Sequence, residues 1–108
     1  MNKGDIWLVE IPQTNGYEQS GKRPVIIITD TKSNIAIVIP FTSNIQALRF
    51  PYTIEVEPSE ENGLNVKSVA LIFQIRAIDK KRLKSKIGKL ENNIINKIDK
   101  MLRDLLQI

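Results

Sequence analysis

The chain predicts a small, mainly antiparallel β fold (α+β overall) with one long C-terminal helix, and three observations carry that expectation. Two short apolar runs dominated by β-branched residues, Val25–Ile28 and Ile35–Ile39, flank the turn-forming cluster Asp30-Thr31-Lys32-Ser33-Asn34. Residues 52–57 alternate, with Tyr52, Ile54 and Val56 on one side and Thr53, Glu55 and Glu57 on the other, as a half-exposed strand does. Leu90, Ile94, Ile98, Met101, Leu102 and Leu105 fall on one face of a helix, opposite Glu91, Asn92, Lys97, Lys100 and Asp104. A Leu/Ile stripe at this spacing packs on a sheet or on another subunit.

The remaining elements follow in order. Asp5 to Ile11 predicts a first strand ended by Pro12, and Pro12 to Gly21 has loop composition. The second strand is expected over Val25–Thr29 and the third over Ile35–Ile39, stopped by Pro40. Because both runs are apolar throughout, they read as neighbouring central strands covered on two faces. Ser43 or Asn44 caps a short helical turn toward Leu48, and a loop containing Gly63 spans Pro58 to Val66. Ser68–Gln74 is a fifth strand. Asp79 caps a turn through Leu83, and Lys86–Lys89 adds a brief strand.

With 108 residues, the chain fits one domain, residues 1–108, with one core. It contains no cysteine and no histidine, so thiolate chemistry, disulfides and the commonest acid/base and metal ligand are unavailable. Chemistry must come from carboxylates, Arg, Lys, Tyr, Ser, Thr or the backbone. Neither a signal peptide nor a membrane-length apolar run is evident, which predicts a cytoplasmic protein with no membrane partner. The net charge of +4 permits a polyanionic partner without requiring one.

The candidate site is the constellation Glu18, Lys22, Arg23, Thr42, Ser43 and Arg76. The first three belong to the loop before the second strand, and Thr42 and Ser43 follow the third. If those strands form a hairpin, Arg23 and Thr42 fall at the same end of the sheet. A guanidinium offers a fork of donors matched to phosphate oxygens, and a threonine adds a hydroxyl. Taken singly, such residues are usually surface groups. Arg76 can pair with Asp79, and the basic run Lys80-Lys81-Arg82 with Lys84, Lys86 and Lys89 reads as a solvated face or a phosphate-tracking surface.

At these residues the chain resembles the MazF/PemK family of toxin–antitoxin endoribonucleases. The loop Gly16-Tyr17-Glu18-Gln19-Ser20-Gly21-Lys22-Arg23-Pro24 is similar to the family pattern G-x-E-Q-x-G-x-R-P. Gly4-Asp5-Ile6-Trp7, Pro40-Phe41-Thr42-Ser43 and Gln74-Ile75-Arg76-Ala77-Ile78-Asp79 extend the resemblance over almost the whole chain.

The resemblance implies an SH3-like small barrel of the CcdB/PemK type and a homodimer. It implies metal-independent, ribosome-independent cleavage of single-stranded RNA at short sequences, with no cofactor. The ribose 2′-hydroxyl would be the nucleophile, and the ends a 2′,3′-cyclic phosphate and a 5′-hydroxyl. Arg23 and Thr42 match the family's catalytic positions, with Glu18 as the candidate base. Gln19, Ser20, Gly21, Lys22, Ser43, Gln74 and Arg76 are the expected RNA contacts. The implied inhibitor is a MazE-like antitoxin with an acidic, disordered tail. In one departure, Phe73 stands where some relatives carry an acid. The competing expectations are a CcdB-like gyrase poison and a catalytically silent RNA- or partner-binding module.

Overall fold

The computed structural model describes residues 1–11 and 21–108. Among these residues are seven antiparallel strands and one α-helix: β1 (Asp5–Ile11), β2 (Gly21–Asp30), β3 (Ile35–Thr42), β4 (Thr53–Val56), β5 (Ser68–Leu71), β6 (Arg76–Asp79), β7 (Leu83–Lys89) and α1 (Asn92–Leu106). The expected central hairpin is β2–β3, in register Val25↔Pro40 through Asp30↔Ala36. Its turn is tied by Thr31 Oγ1 donating to Ile35 O and by Lys32 N–H donating to Asp30.

Pairing runs β6-β3-β2-β1-β7, with β4 and β5 extending from the end of β3. β6 and β7 lie at opposite edges of that five-strand run, yet only Lys80–Arg82 joins them. The Cα atoms of Asp79 and Leu83 are four residues apart, so they are separated by at most about 14 Å. The sheet must therefore roll into a small barrel to bring its edges together. The joining turn is capped as expected, by Asp79 Oδ1 accepting from Lys81 N–H at 2.9 Å.

Alternation along the strands sorts most of the apolar side chains into two clusters, and Ala47, Val69 and Leu71 form a third, smaller one. Val9, Val25, Ile27, Ala36, Val38, Ile78 and Leu83 fill the barrel. Ile6, Ile26, Ile39 and Phe41 point the other way and pack with Val56, Ile72, Leu90 and Ile98 of the β4–β5 region and the helix. The predicted helix stripe is the face that α1 applies to this second cluster. β2 and β3 are thus covered on both sides.

Several element boundaries differ from the sequence expectation. β2 begins at Gly21 rather than Val25, because Gly21–Pro24 pair with Leu8–Ile11 of β1, so Lys22 and Arg23 lie in the strand and not in the loop before it. β3 continues past Pro40 to Thr42, because the strand changes partners there: residues 35–38 pair with β6 and Phe41 and Thr42 with β5. Pro40 sits between the two ladders, where a missing N–H costs nothing. β5 stops at Leu71 rather than Gln74. Its partner β4 begins only at Thr53, after Tyr52 turns the chain at φ 59°, and Ile72–Gln74 form a 3-10 turn. β7 begins at Leu83, three residues before the expected brief strand, because its polar residues lie on an edge strand held by β1.

The loop between β4 and β5 is held against the start of α1 by Asn62, which is fully buried. Its Oδ1 accepts from Ser59 N–H and Leu64 N–H, and its Nδ2 donates to Glu57 O and to the Glu91 carboxylate. The Ser59 hydroxyl donates to the same carboxylate at 2.6 Å. Burial pushes the Glu91 carboxyl up, but the hydrogen bonds from Ser59, its own backbone N–H and Asn62 outweigh it and hold it below the usual carboxylate range. A depressed carboxyl stabilises the fold above its unfolded pKa and loses that contribution as pH falls through the folded value. The melting-temperature advantage of the native protein over Glu91→Gln is therefore expected at neutral pH, and thermal melts should show it shrinking on acidification.

Candidate active site

The inward-facing row of each barrel strand runs past the packed core into an open mouth. On β2 the row Ile27, Val25 leads to Arg23. On β3 the row Ala36, Val38 leads to Pro40 and Thr42, and on β6 Ile78 leads to Arg76. The result is a cleft of about 570 Å³ with an apolar floor of Val9, Val25, Val38 and Ile78 and a polar rim of Arg23, Thr42, Gln74, Arg76 and Arg82. Extending the β2–β3 register two residues beyond Val25↔Pro40 sets Arg23 level with Thr42. Arg23 lies inside β2, paired with Val9 of β1, so its root is held by that ladder.

Three guanidiniums therefore meet at one cleft. Among the described residues, no carboxylate lies within ion-pairing distance of Arg23, Arg76 or Arg82. The expected Arg76–Asp79 pair does not form. Among the described residues, Arg82 Nε donates to Glu10 O at 3.3 Å. Unpaired, convergent arginines on a concave surface make a strong anion site, because the field is not cancelled locally. Thr42 Oγ1 accepts from Asn44 N–H at 3.2 Å, which leaves its O–H free to donate into the cleft. No described cluster of three or more acidic residues is placed to hold a metal ion.

Of the sequence-predicted site residues, the structure gathers Arg23, Thr42, Gln74 and Arg76. Gly21, Lys22 and Ser43 are exposed beside the cleft in the chain but do not line it. Glu18, Gln19 and Ser20 lie outside the described residues. Arg82 was not singled out by the sequence beyond its basic run. Its place in the cleft depends on the short β6–β7 connection, which brings one edge of the sheet back to the other.

A small barrel whose mouth is an arginine-lined cleft is suited to a nucleic-acid phosphate. The model of the PemK-like, MazF-like toxin of type II toxin–antitoxin systems matches residues 2–106, and the chain belongs to that family. It is 35% identical over 107 residues to the endoribonuclease EndoA of Bacillus subtilis (strain 168), covering 95% of this chain and 91% of that protein. Its fold is similar to a MazE–MazF crystal structure from Deinococcus radiodurans (TM-score 0.78, 19% identity), covering 100% of this chain and 96% of the other. It also matches a mycobacterial endoribonuclease solved with its cognate antitoxin (TM-score 0.73, 18% identity), over 98% and 94% of the two chains. No described helix is long and apolar enough to cross a membrane.

Proposed function

We propose that the protein is a cytoplasmic, ribosome-independent endoribonuclease toxin that cuts single-stranded RNA at short sequences. The observation that carries this reading is the convergence of Arg23, Arg76 and Arg82 with Thr42 at one cleft, without ion-pair partners among the described residues. Family membership and the likeness to an endoribonuclease support it.

In the proposed reaction the RNA supplies its own nucleophile, so proximity is built into the substrate. The 2′-oxygen bonds to the adjacent phosphorus as the bond to the 5′-oxygen breaks. The 2′-proton leaves to a base, and the 5′-oxygen takes up a proton. The products are a 2′,3′-cyclic phosphate and a 5′-hydroxyl. Arg23 stabilises the charge that builds on the phosphoryl oxygens, and Thr42 donates to a non-bridging oxygen. Glu18 is assigned as the base. Lys22, Ser43 and the loop residues Gln19–Gly21 contact the flanking chain.

Arg76 and Arg82 bind phosphate rather than the reacting atoms in this reading. Arg76→Ala and Arg82→Ala are each expected to raise KM by about tenfold with kcat changed little. Each should also lower the salt slope of RNA binding by about one unit. Steady-state kinetics and binding titrations at several ionic strengths check both.

As a member of a type II toxin family, the protein is read as a homodimer inhibited by a cognate antitoxin, whose acidic, disordered tail covers the basic cleft. The test is incubation of the purified protein with a long single-stranded RNA in EDTA, followed by mapping of the new ends. Discrete cuts, suppressed by the antitoxin, are expected. Inhibition of DNA gyrase without RNA cleavage would contradict the proposal.

A further inference from the structure

Beside the cleft lies an aromatic patch that the proposed chemistry does not use. Phe73 sits on the Ile72–Gln74 turn, directly between Ile72 in the core and Gln74 on the cleft rim. Its ring lies 5.9 Å from that of Phe50, tilted by 53°. In the single chain Phe73 is 39% exposed and Phe50 45%. The guanidinium of Arg49 stands 5.0 Å from the centre of the Phe50 ring. Among the described residues Arg49 has no carboxylate partner.

The patch is built rather than incidental. The Tyr52 carbonyl accepts from Ile72 N–H at 3.0 Å and Phe73 N–H at 3.4 Å, which fixes the turn against the chain that carries Phe50. The Tyr52 hydroxyl donates to Asp104 of α1 at 2.9 Å, anchoring the corner to the helix. Two exposed rings are thereby held in fixed relation to each other and next to a cation, with Phe73 one residue from Gln74 on the cleft rim.

We propose that Phe50 and Phe73 form a stacking platform for one unpaired base of the RNA flanking the cut, with Arg49 holding the neighbouring phosphate. The inference rests on reading the cleft as the site of RNA cleavage. Every base has a π face, so aromatic rings beside a phosphate-binding surface hold single strands and leave paired bases unread. The continuity of the patch with Gln74, together with its own cation, favours nucleic acid over an uncharged protein surface. Phe73, where some relatives carry an acid, becomes a determinant of substrate binding in this chain.

The test combines variants with abasic substrates. Short RNAs made uncleavable by a 2′-deoxy sugar at the mapped cut are prepared with one base removed at each flanking position in turn. With the native protein, one position should lose about tenfold in affinity when its base is removed. With Phe73→Ala that position should lose nothing further, while the other positions behave as before. Phe73→Trp should retain binding and Phe73→Leu should not.

Additive losses for Phe73→Ala at every position would overturn the proposal. Native-like binding by Phe73→Leu would also overturn it. A shift of Phe50→Ala or Phe73→Ala from dimer to monomer in light scattering would assign the patch to a second copy of the chain. Unchanged RNA binding with lost antitoxin inhibition would assign it to the antitoxin. If the native protein cuts no RNA, the same comparison on oligonucleotides carrying 2-aminopurine separates the two ideas. Ring-dependent quenching then upholds the platform while the cleavage reading fails, and its absence rejects both.

Discussion

Arg23→Ala is expected to lower kcat for RNA cleavage by about a thousandfold while leaving the melting temperature unchanged. The size follows from position. Arg23 is rooted in β2 between its ladder partner Val9 and the floor residue Val25, so its guanidinium is presented to the cleft from a rigid strand. Its side chain is exposed and, among the described residues, unpaired, so nothing in the core relaxes when it is removed. Arg23→Lys should recover little, because an ammonium is a point charge and lacks the planar fork that spans two phosphoryl oxygens. Thr42→Val keeps the strand and deletes one donor, and a loss of about a hundredfold is expected. Single-turnover cleavage of a short RNA, with thermal melts alongside, measures both.

The largest expected effect on stability is that of Gly63→Ala. Gly63 has φ +71°, where an L side chain is strained, and an added Cβ would stand 2.1 Å from the Ile87 carbonyl oxygen. That neighbour is backbone within β7 and cannot swing away. Across the same contact, a Cβ on Gly88 would meet the carbonyl group of Asn62 at 2.4 Å. The 59–63 loop and β7 are therefore pressed together backbone to backbone, closed by Lys89 N–H donating to Glu61 O at 2.8 Å. Combining the left-handed penalty with overpacking, the cost is about 3 kcal/mol, or a fall of roughly 15 °C in melting temperature. Because the contact lies away from the cleft-lining residues, the folded fraction should keep its native KM. Urea titration combined with kinetics checks both halves.

The part of the site that could be read in advance is the part built from a local hairpin. Val25–Ile28 and Ile35–Ile39 are unbroken apolar runs around a polar turn, so their pairing, and with it the juxtaposition of Arg23 and Thr42, follows from short-range pattern. The helix stripe was legible for the same reason. What pattern could not carry depends on closure. Only Lys86–Lys89 of the strand Leu83–Lys89 was legible, because its first half is polar and lies on an edge. Its true partner is β1, at the other end of the chain. That pairing, with the short β6–β7 connection, brings Arg82 to the barrel mouth. The Phe50–Phe73 pair was hidden because it depends on a positive φ at Tyr52, a bulky residue with no sequence preference for that turn.

The central claim is that an Arg–Thr cleft at the barrel mouth directs attack by the RNA's own 2′-hydroxyl. The most direct measurement uses two versions of one short RNA that differ only by a 2′-deoxy sugar at the mapped cut, incubated with the purified protein in EDTA. Cleavage of the all-ribose strand to a 2′,3′-cyclic phosphate and a 5′-hydroxyl, with the 2′-deoxy strand bound but intact, is the predicted result. Cutting of the 2′-deoxy strand at the same position, or a 5′-phosphate on the product, would contradict it.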